Sequence, residues 1–193
     1  MSKKDAKLRR AIKSAQKKNQ RKKKKPAAKK YHAQFDPNWL TARGPIIKAI
    51  IEVAPSHKLL LQSKGLPVPK PVVARLLLDT GASSTVVSHQ LAEKAGLALI
   101  SENSPLHGVG VDTSGKTYFG EVCLQFRDEN NKLERISKTC QISAASLPAQ
   151  TSEYMDGLLG RDFLAGFEVT YNGVTGIVSF QFVGKKRPPQ KNN

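Results

Sequence analysis

The sequence predicts an all-β globule, mainly strands with two short helices, and three features predict it. Residues 46–53 (IIKAIIEV) and 72–78 (VVARLLL) are apolar, largely β-branched runs bounded by Pro or Gly clusters. Residues 116–126 and 133–143 read as strands on either side of the polar turn RDENNK at 127–132. Asn172-Gly173, the strongest short hairpin signal, lies between strand-like runs at 168–171 and 174–182.

Taken in order, the first strand (46–53) ends at Pro55, and Gly65, Pro67, Pro69 and Pro71 mark a loop inserted between two paired strands. The 72–78 strand runs straight onto Asp79. After a turn at 79–82, residues 84–87 form a short strand, and Ser88 caps a helix through Ala95, with Gly96 just past its end. From Leu106 the pattern is β again, crowded by Gly108, Gly110 and Gly115, and Asp112-Thr113-Ser114-Gly115 reads as a polar turn. Leu158 and Leu159 make a short apolar strand, and Gly160 leads into the second helix, 161–165.

Charge separates the chain into parts. It carries 32 Lys/Arg against 15 Asp/Glu, a net +17, but residues 1–30 hold 15 of the basic side chains and a single acid, Asp5. The last nine residues add four basic side chains, while residues 31–184 are close to neutral with thirteen basic and fourteen acidic groups. The expected organisation is a basic, largely disordered extension at 1–40, a folded domain at 41–184 and a basic tail at 185–193. The extension has few large apolar residues and no aromatic before Tyr31. Two readings stand for it: sequence-independent attachment to nucleic acid or another polyanion, or a solubilising or targeting tail. Two cysteines, Cys123 and Cys140, make no disulfide framework and no C-x-x-C pair, and no histidine has zinc-finger spacing to them. With no apolar secretory stretch and no run of membrane-spanning length, the expectation is a soluble protein of a reducing compartment, cytoplasmic or, in a eukaryote, nuclear, with no membrane partner.

The chemistry concentrates in LLLDTGASST, residues 76–85. A carboxylate at the end of a buried strand is costly unless the site pairs it or uses it. Gly81 allows a sharp turn with φ > 0 and lets backbone amides come close to the carboxylate, and Thr80 offers a hydroxyl to the turn. The tripeptide alone is better read as an Asp that merely caps its own turn, since short motifs match by chance. A second segment, DGLLGRDFL at 156–164, supplies an apolar pair, a glycine and a short helix beginning at Arg161.

Together, in this order, the two segments resemble the retroviral-type (retropepsin-like) aspartic proteases, closest to their cellular and bacterial branches. The Gly-rich stretch LHGVGVDTSGKTYF at 106–119 stands where that family has its flap. The resemblance, spanning about residues 46 to 182, implies an acid-protease barrel with one lobe per chain. It implies an endopeptidase acting on protein or peptide substrates, with Asp79 catalytic and Thr80, Gly81 and Ala82 supporting it. Gly108, Val109 and Gly110 would form the flap. Leu158, Leu159, Gly160, Arg161 and Asp162 would form the second strand and helix beside Asp79. One copy of the motif per chain implies a homodimer that pairs two Asp79 side chains, with no metal and no cofactor. The 46–53 strand and the C-terminal hairpin are apolar enough to interleave in such a dimer.

Departures from the retroviral pattern are visible. Ser83 stands where those enzymes often carry an acid, so Arg161 is expected to meet Asp162, Glu153 or a main-chain carbonyl instead. The alternative function is a catalytically silent module of the same fold that dimerises, binds peptides or presents its basic tail to nucleic acid. A small ribosome-associated protein accounts for the tails alone.

Overall fold

Strand β2 (Ile46–Glu52), which ends on the buried Glu52, alternates up to Ile51, burying Ile47, Ala49 and Ile51 while Lys48 faces out. Strand β3 (Val72–Leu78) does the same with Ala74, Leu76 and Leu78. These inward rows are the seam of a closed barrel, seen in a computed structural model that describes residues 30–108, 111–127 and 132–183. The remaining strands are β1 (Lys30–Gln34), β4 (Val86–Ser88), β5 (Ala98–Gly108), β6 (Val111–Arg127), β7 (Leu133–Ala145), β8 (Gly157–Leu159), β9 (Phe167–Asn172) and β10 (Ile177–Phe182). Six of them run in the order β2-β3-β8-β4-β7-β6, and β6 pairs back onto β2, which closes the ring and removes its edges. Val87, Val122, Leu124, Ile142, Ala144 and Leu159 fill the interior with the β2 and β3 rows. Each of these Val, Leu and Ile side chains contributes about 1.5–3 kcal/mol by leaving water.

Among the described residues five short helices decorate the barrel, three more than the sequence predicts: α1 (Pro37–Arg43), α2 (Pro55–Ser63), α3 (His89–Lys94), α4 (Ala149–Ser152) and α5 (Arg161–Leu164). α3 forms as expected, its Ser88 side chain accepting from the Leu91 amide at 3.3 Å and Gly96 turning the chain at φ +62°. α1 starts on Asp36, whose carboxylate accepts from the Trp39 amide at 2.9 Å, and Pro37 opens its first turn.

A second, three-stranded sheet, β1-β10-β9, packs on the barrel. Its inner face carries Tyr31, Ala33, Phe167, Val169, Val178 and Phe180, all packed in the hydrophobic core. Tyr31 stacks on Phe180 at 4.5 Å and meets Phe126 of β6 edge-on at 5.6 Å, stitching sheet to barrel. Among the described residues, strand pairing is therefore present from Lys30, inside the segment expected to be a disordered extension, because β10 supplies β1 with a ladder and an aromatic floor. Residues 1–29 and 184–193, which carry the expected tails, lie outside the described residues.

β2 pairs with β3 along one edge and with β6 along part of the other, at Ile50–Glu52. Two further expectations are corrected. Residues 112–115 lie within β6, opposite Ser104 to His107 of β5, and are no turn. The β9–β10 turn is longer than two residues: the Asn172 side chain accepts from the Val174 and Thr175 amides, and Gly176 takes φ +71°.

Candidate active site

β8 lies between β3, which it pairs in parallel, and β4, which it pairs antiparallel. The chain must therefore leave β3, loop over the end of β8 and return as β4, and that loop is residues 79–85. Its anchors are backbone bonds: Asp79 N to Leu159 O at 3.1 Å, Arg161 N to Ala82 O at 2.9 Å and Asp162 N to Ser83 O at 3.2 Å. The crossing is tight. A Cβ on Gly160 would lie 2.4 Å from the Ser84 carbonyl oxygen, and one on Gly157 would lie 2.0 Å from Val86 O, so both positions require glycine.

Asp79, half-buried at the tip of β3, turns Oδ1 back onto the loop, where it accepts from Gly81 N at 2.7 Å and Ala82 N at 3.3 Å. The self-capping turn that competed with the catalytic reading is thus formed, and it occupies one carboxylate oxygen. Gly81 does not use the positive φ open to it; among the described residues positive values occur at Gly44, Gly65, Gly96 and Gly176. Its small size serves close approach, since a Cβ there would stand 3.0 Å from Asp79 Oδ1. Thr80 and Gly81 are exposed and Ala82 is half-buried.

Arg161 meets main-chain carbonyls, one of its three expected partners. Its Nη1 donates to Thr80 O at 2.8 Å and Gly81 O at 2.9 Å, fixing the turn from outside. Asp162 works one layer deeper: its Oδ1 accepts from the fully buried Thr85 hydroxyl at 2.8 Å and from Phe163 N at 2.8 Å, while Thr85 Oγ1 accepts from Gly160 N at 3.3 Å. Leu159 is buried and Leu158 half-buried between β3 and β4. Lys138 donates to the Asp162 carbonyl, and on the same side of β7 the Cys140 thiol is pushed up to about 12, by burial first and by the Asp162 charge second. Gly108 pairs with Val111 at the end of the β5–β6 hairpin, while Val109 and Gly110 lie outside the described residues.

Three contributors escaped the sequence reading. Thr85 was visible only as the last letter of a polar run. Arg75 and Asp156 form a clamp on the β3–β8 pair: Asp156 Oδ2 accepts from Arg75 N at 2.7 Å and Nε at 3.2 Å, and Oδ1 accepts from Nη2 at 3.0 Å. The same guanidinium reaches Glu153 O at 2.9 Å and Ser152 O at 3.3 Å. A charge within an otherwise apolar strand was the available signal for Arg75. Burial pushes Asp156 up, but hydrogen bonds from the Arg75 side chain and amide, with its charge, outweigh this and hold the carboxyl below its ordinary 3.8.

The closed six-stranded barrel, with one amide-held Asp on the loop after β3, has the architecture of a single retropepsin-like lobe. A profile of the aspartyl protease family matches residues 65–163, just over half of the chain, and the chain belongs to that family. No curated protein matches it. Among the described residues no helix is long and apolar enough to cross a membrane, and no group of three or more His, Cys, Asp or Glu is placed to hold a metal ion.

Proposed function

We propose that the protein is an endopeptidase whose active site is completed by a second copy of the chain, with the two Asp79 carboxyls side by side on a two-fold axis. The observation that carries this reading is the Asp79 turn. Two amides hold Oδ1, Arg161 holds the outer carbonyls, and the exposed Thr80 and Gly81 beside it are free to face a partner.

Two carboxyls at contact distance do not both ionise cheaply, so the pair shares one proton and titrates as a unit. The ionised Asp79 takes a proton from water as the water oxygen attacks the peptide carbonyl carbon. The neutral Asp79 gives its proton to the carbonyl oxygen, producing a neutral tetrahedral diol. Collapse of the diol breaks the C–N bond, with one proton delivered to the departing amine and one returned to the pair. Thr80 bonds across the dimer beneath the carboxyls, and the β5–β6 hairpin closes over the substrate and excludes water. The basic segment 1–30 holds the enzyme to nucleic acid or another polyanion in the cytoplasm, or in the nucleus of a eukaryote.

The test is cleavage of a diverse peptide library by the full chain and by Asp79→Asn, with subunit stoichiometry from sedimentation. General acid–base chemistry of this kind accounts for about 10²–10⁴ in rate, so the variant should lose at least that much while sedimenting as the same dimer. Equal cleavage by Asp79→Asn, or full activity in a strict monomer, overturns the proposal.

A further inference from the structure

Helix α2 is anomalous in this fold. It carries Leu59, Leu60 and Leu61 in succession, yet none of its residues is buried. Leu59 is 67% exposed, Leu60 49%, and Leu66 just beyond the helix 50%. The helix is well built at both ends. Pro55 opens its first turn, and the Leu66 and Gly65 amides donate back to Leu61 O and Gln62 O at 2.9 and 3.0 Å, with Gly65 at φ +67°. That closure brings Leu66 back beside the end of the helix. Lys58 ties the first turn to buried Glu52, and the following loop seats Pro69 against Gly96, where a Cβ would lie 2.3 Å from the proline ring. A nine-residue helix is marginal in water without a packed face. Here the apolar face is anchored at both ends and, among the described residues, left uncovered.

Charge decides what fits it. No Asp or Glu occurs between Val53 and Leu78, whereas Lys64 and Lys70 are exposed beside the leucines in sequence. The chain's own undescribed ends are no match, because residues 1–29 and 184–193 are both strongly basic. A second copy docking α2 on α2 would set these lysines against their own counterparts. We infer that the α2 face is a docking site for a protein segment with acidic side chains flanking aliphatic or aromatic ones. It sits at the opposite end of β3 from Asp79, about 23 Å along a seven-residue strand, so a docked segment leaves the Asp79 turn clear.

The experiment selects phage-displayed random dodecapeptides on the full-length protein in about 0.15 M salt, where long-range attraction to the basic tail is screened. Recovered peptides are then titrated against two variants that keep the tail: Leu59→Gln with Leu60→Gln, and Lys64→Glu with Lys70→Glu. The expected consensus pairs Asp or Glu with Leu, Ile or Phe, and each double variant should weaken binding at least tenfold with an unchanged circular dichroism spectrum. Recovery of no peptides, of a consensus without acids, or of peptides that bind both variants equally overturns the inference. So does either of two further results that the leucine variant abolishes: binding to vesicles with one-third phosphatidylserine and no peptide binding, which would make the occupant a lipid surface, or self-association, which would make it a second copy. Because none of these readouts involves hydrolysis, failure here is distinct from failure of the Asp79 proposal.

Discussion

Replacing Asp156 with asparagine isolates what charge contributes to the clamp that aligns β8 with the Asp79 strand. The carboxylate takes three hydrogen bonds from Arg75, at 2.7, 3.0 and 3.2 Å. An asparagine oxygen can keep the shortest, from the Arg75 amide, but its NH2 group faces the guanidinium as donor against donor. The loss is therefore one charge-assisted bond and the weakening of another. Hydrogen bonds to charged groups are worth about 1.5–3 kcal/mol when shielded. The Arg75 and Asp156 side chains are 41% and 28% exposed, so solvent screening brings the expected cost down to about 1–2 kcal/mol at pH 7.

The sign with pH follows from the depressed carboxyl. Asp156 binds its proton less readily folded than unfolded, so its stabilisation is complete above the ordinary value of 3.8 and disappears as pH falls through the lower folded value. The amide of the Asp156→Asn variant has no such titration. Urea unfolding, followed through the single tryptophan, Trp39, at fixed protein concentration, should show wild type ahead by a constant margin from pH 7 to 5. The margin should shrink below pH 4. A margin at pH 3 as large as at pH 7 would refute the assignment, because the carboxylate charge would then not be what Asp156 contributes.

Other substitutions follow from the same geometry. Arg161→Met removes both donors from the Thr80 and Gly81 carbonyls; peptide cleavage should fall about 10–100-fold, mainly in kcat, while urea stability drops by about 1–3 kcal/mol. Gly160→Ala forces a methyl to 2.4 Å from the Ser84 backbone, and equilibrium unfolding should show a loss of about 1–3 kcal/mol or more, with no soluble native protein as the extreme. The Cys140 thiol, pushed up to about 12, stays protonated at pH 8 and should resist iodoacetamide until urea unfolds the chain, as mass spectrometry of the labelled peptide would show.

The parts legible in the sequence are those whose signal is local. Three leucines before Asp79, the Ser88 cap and Gly96 each decide a backbone path within a few residues, and each element formed where it was expected. Elements that depend on distant partners were not legible. β1 carries only Tyr31 and Ala33 as inward residues within a basic stretch, and it becomes a strand because Phe180 and Val178, far along the chain, give it a ladder and a surface. α2 has consecutive leucines in place of a helical apolar stripe, so periodicity had nothing to detect; proline at one end and a left-handed glycine at the other define it instead.

The site divides along the same line. Asp79 could be picked out because an acid ending an apolar run is expensive anywhere in a protein. The clamp that aligns the strands beneath it was invisible, because Arg75 and Asp156 are 81 positions apart and meet only once β8 slides in beside β3. Gly157 and Gly160 explain why that insertion has one register. Their missing side chains leave room for the Val86 and Ser84 backbones, whereas a one-residue slip would put a leucine where only glycine fits. Register at β8 then fixes Leu159 O beneath the Asp79 amide and Arg161 beside the turn carbonyls. Two glycines and an ion pair, none of which touches the carboxylate, thus set the strand register beneath it, while the Gly81 and Ala82 amides hold the oxygen itself.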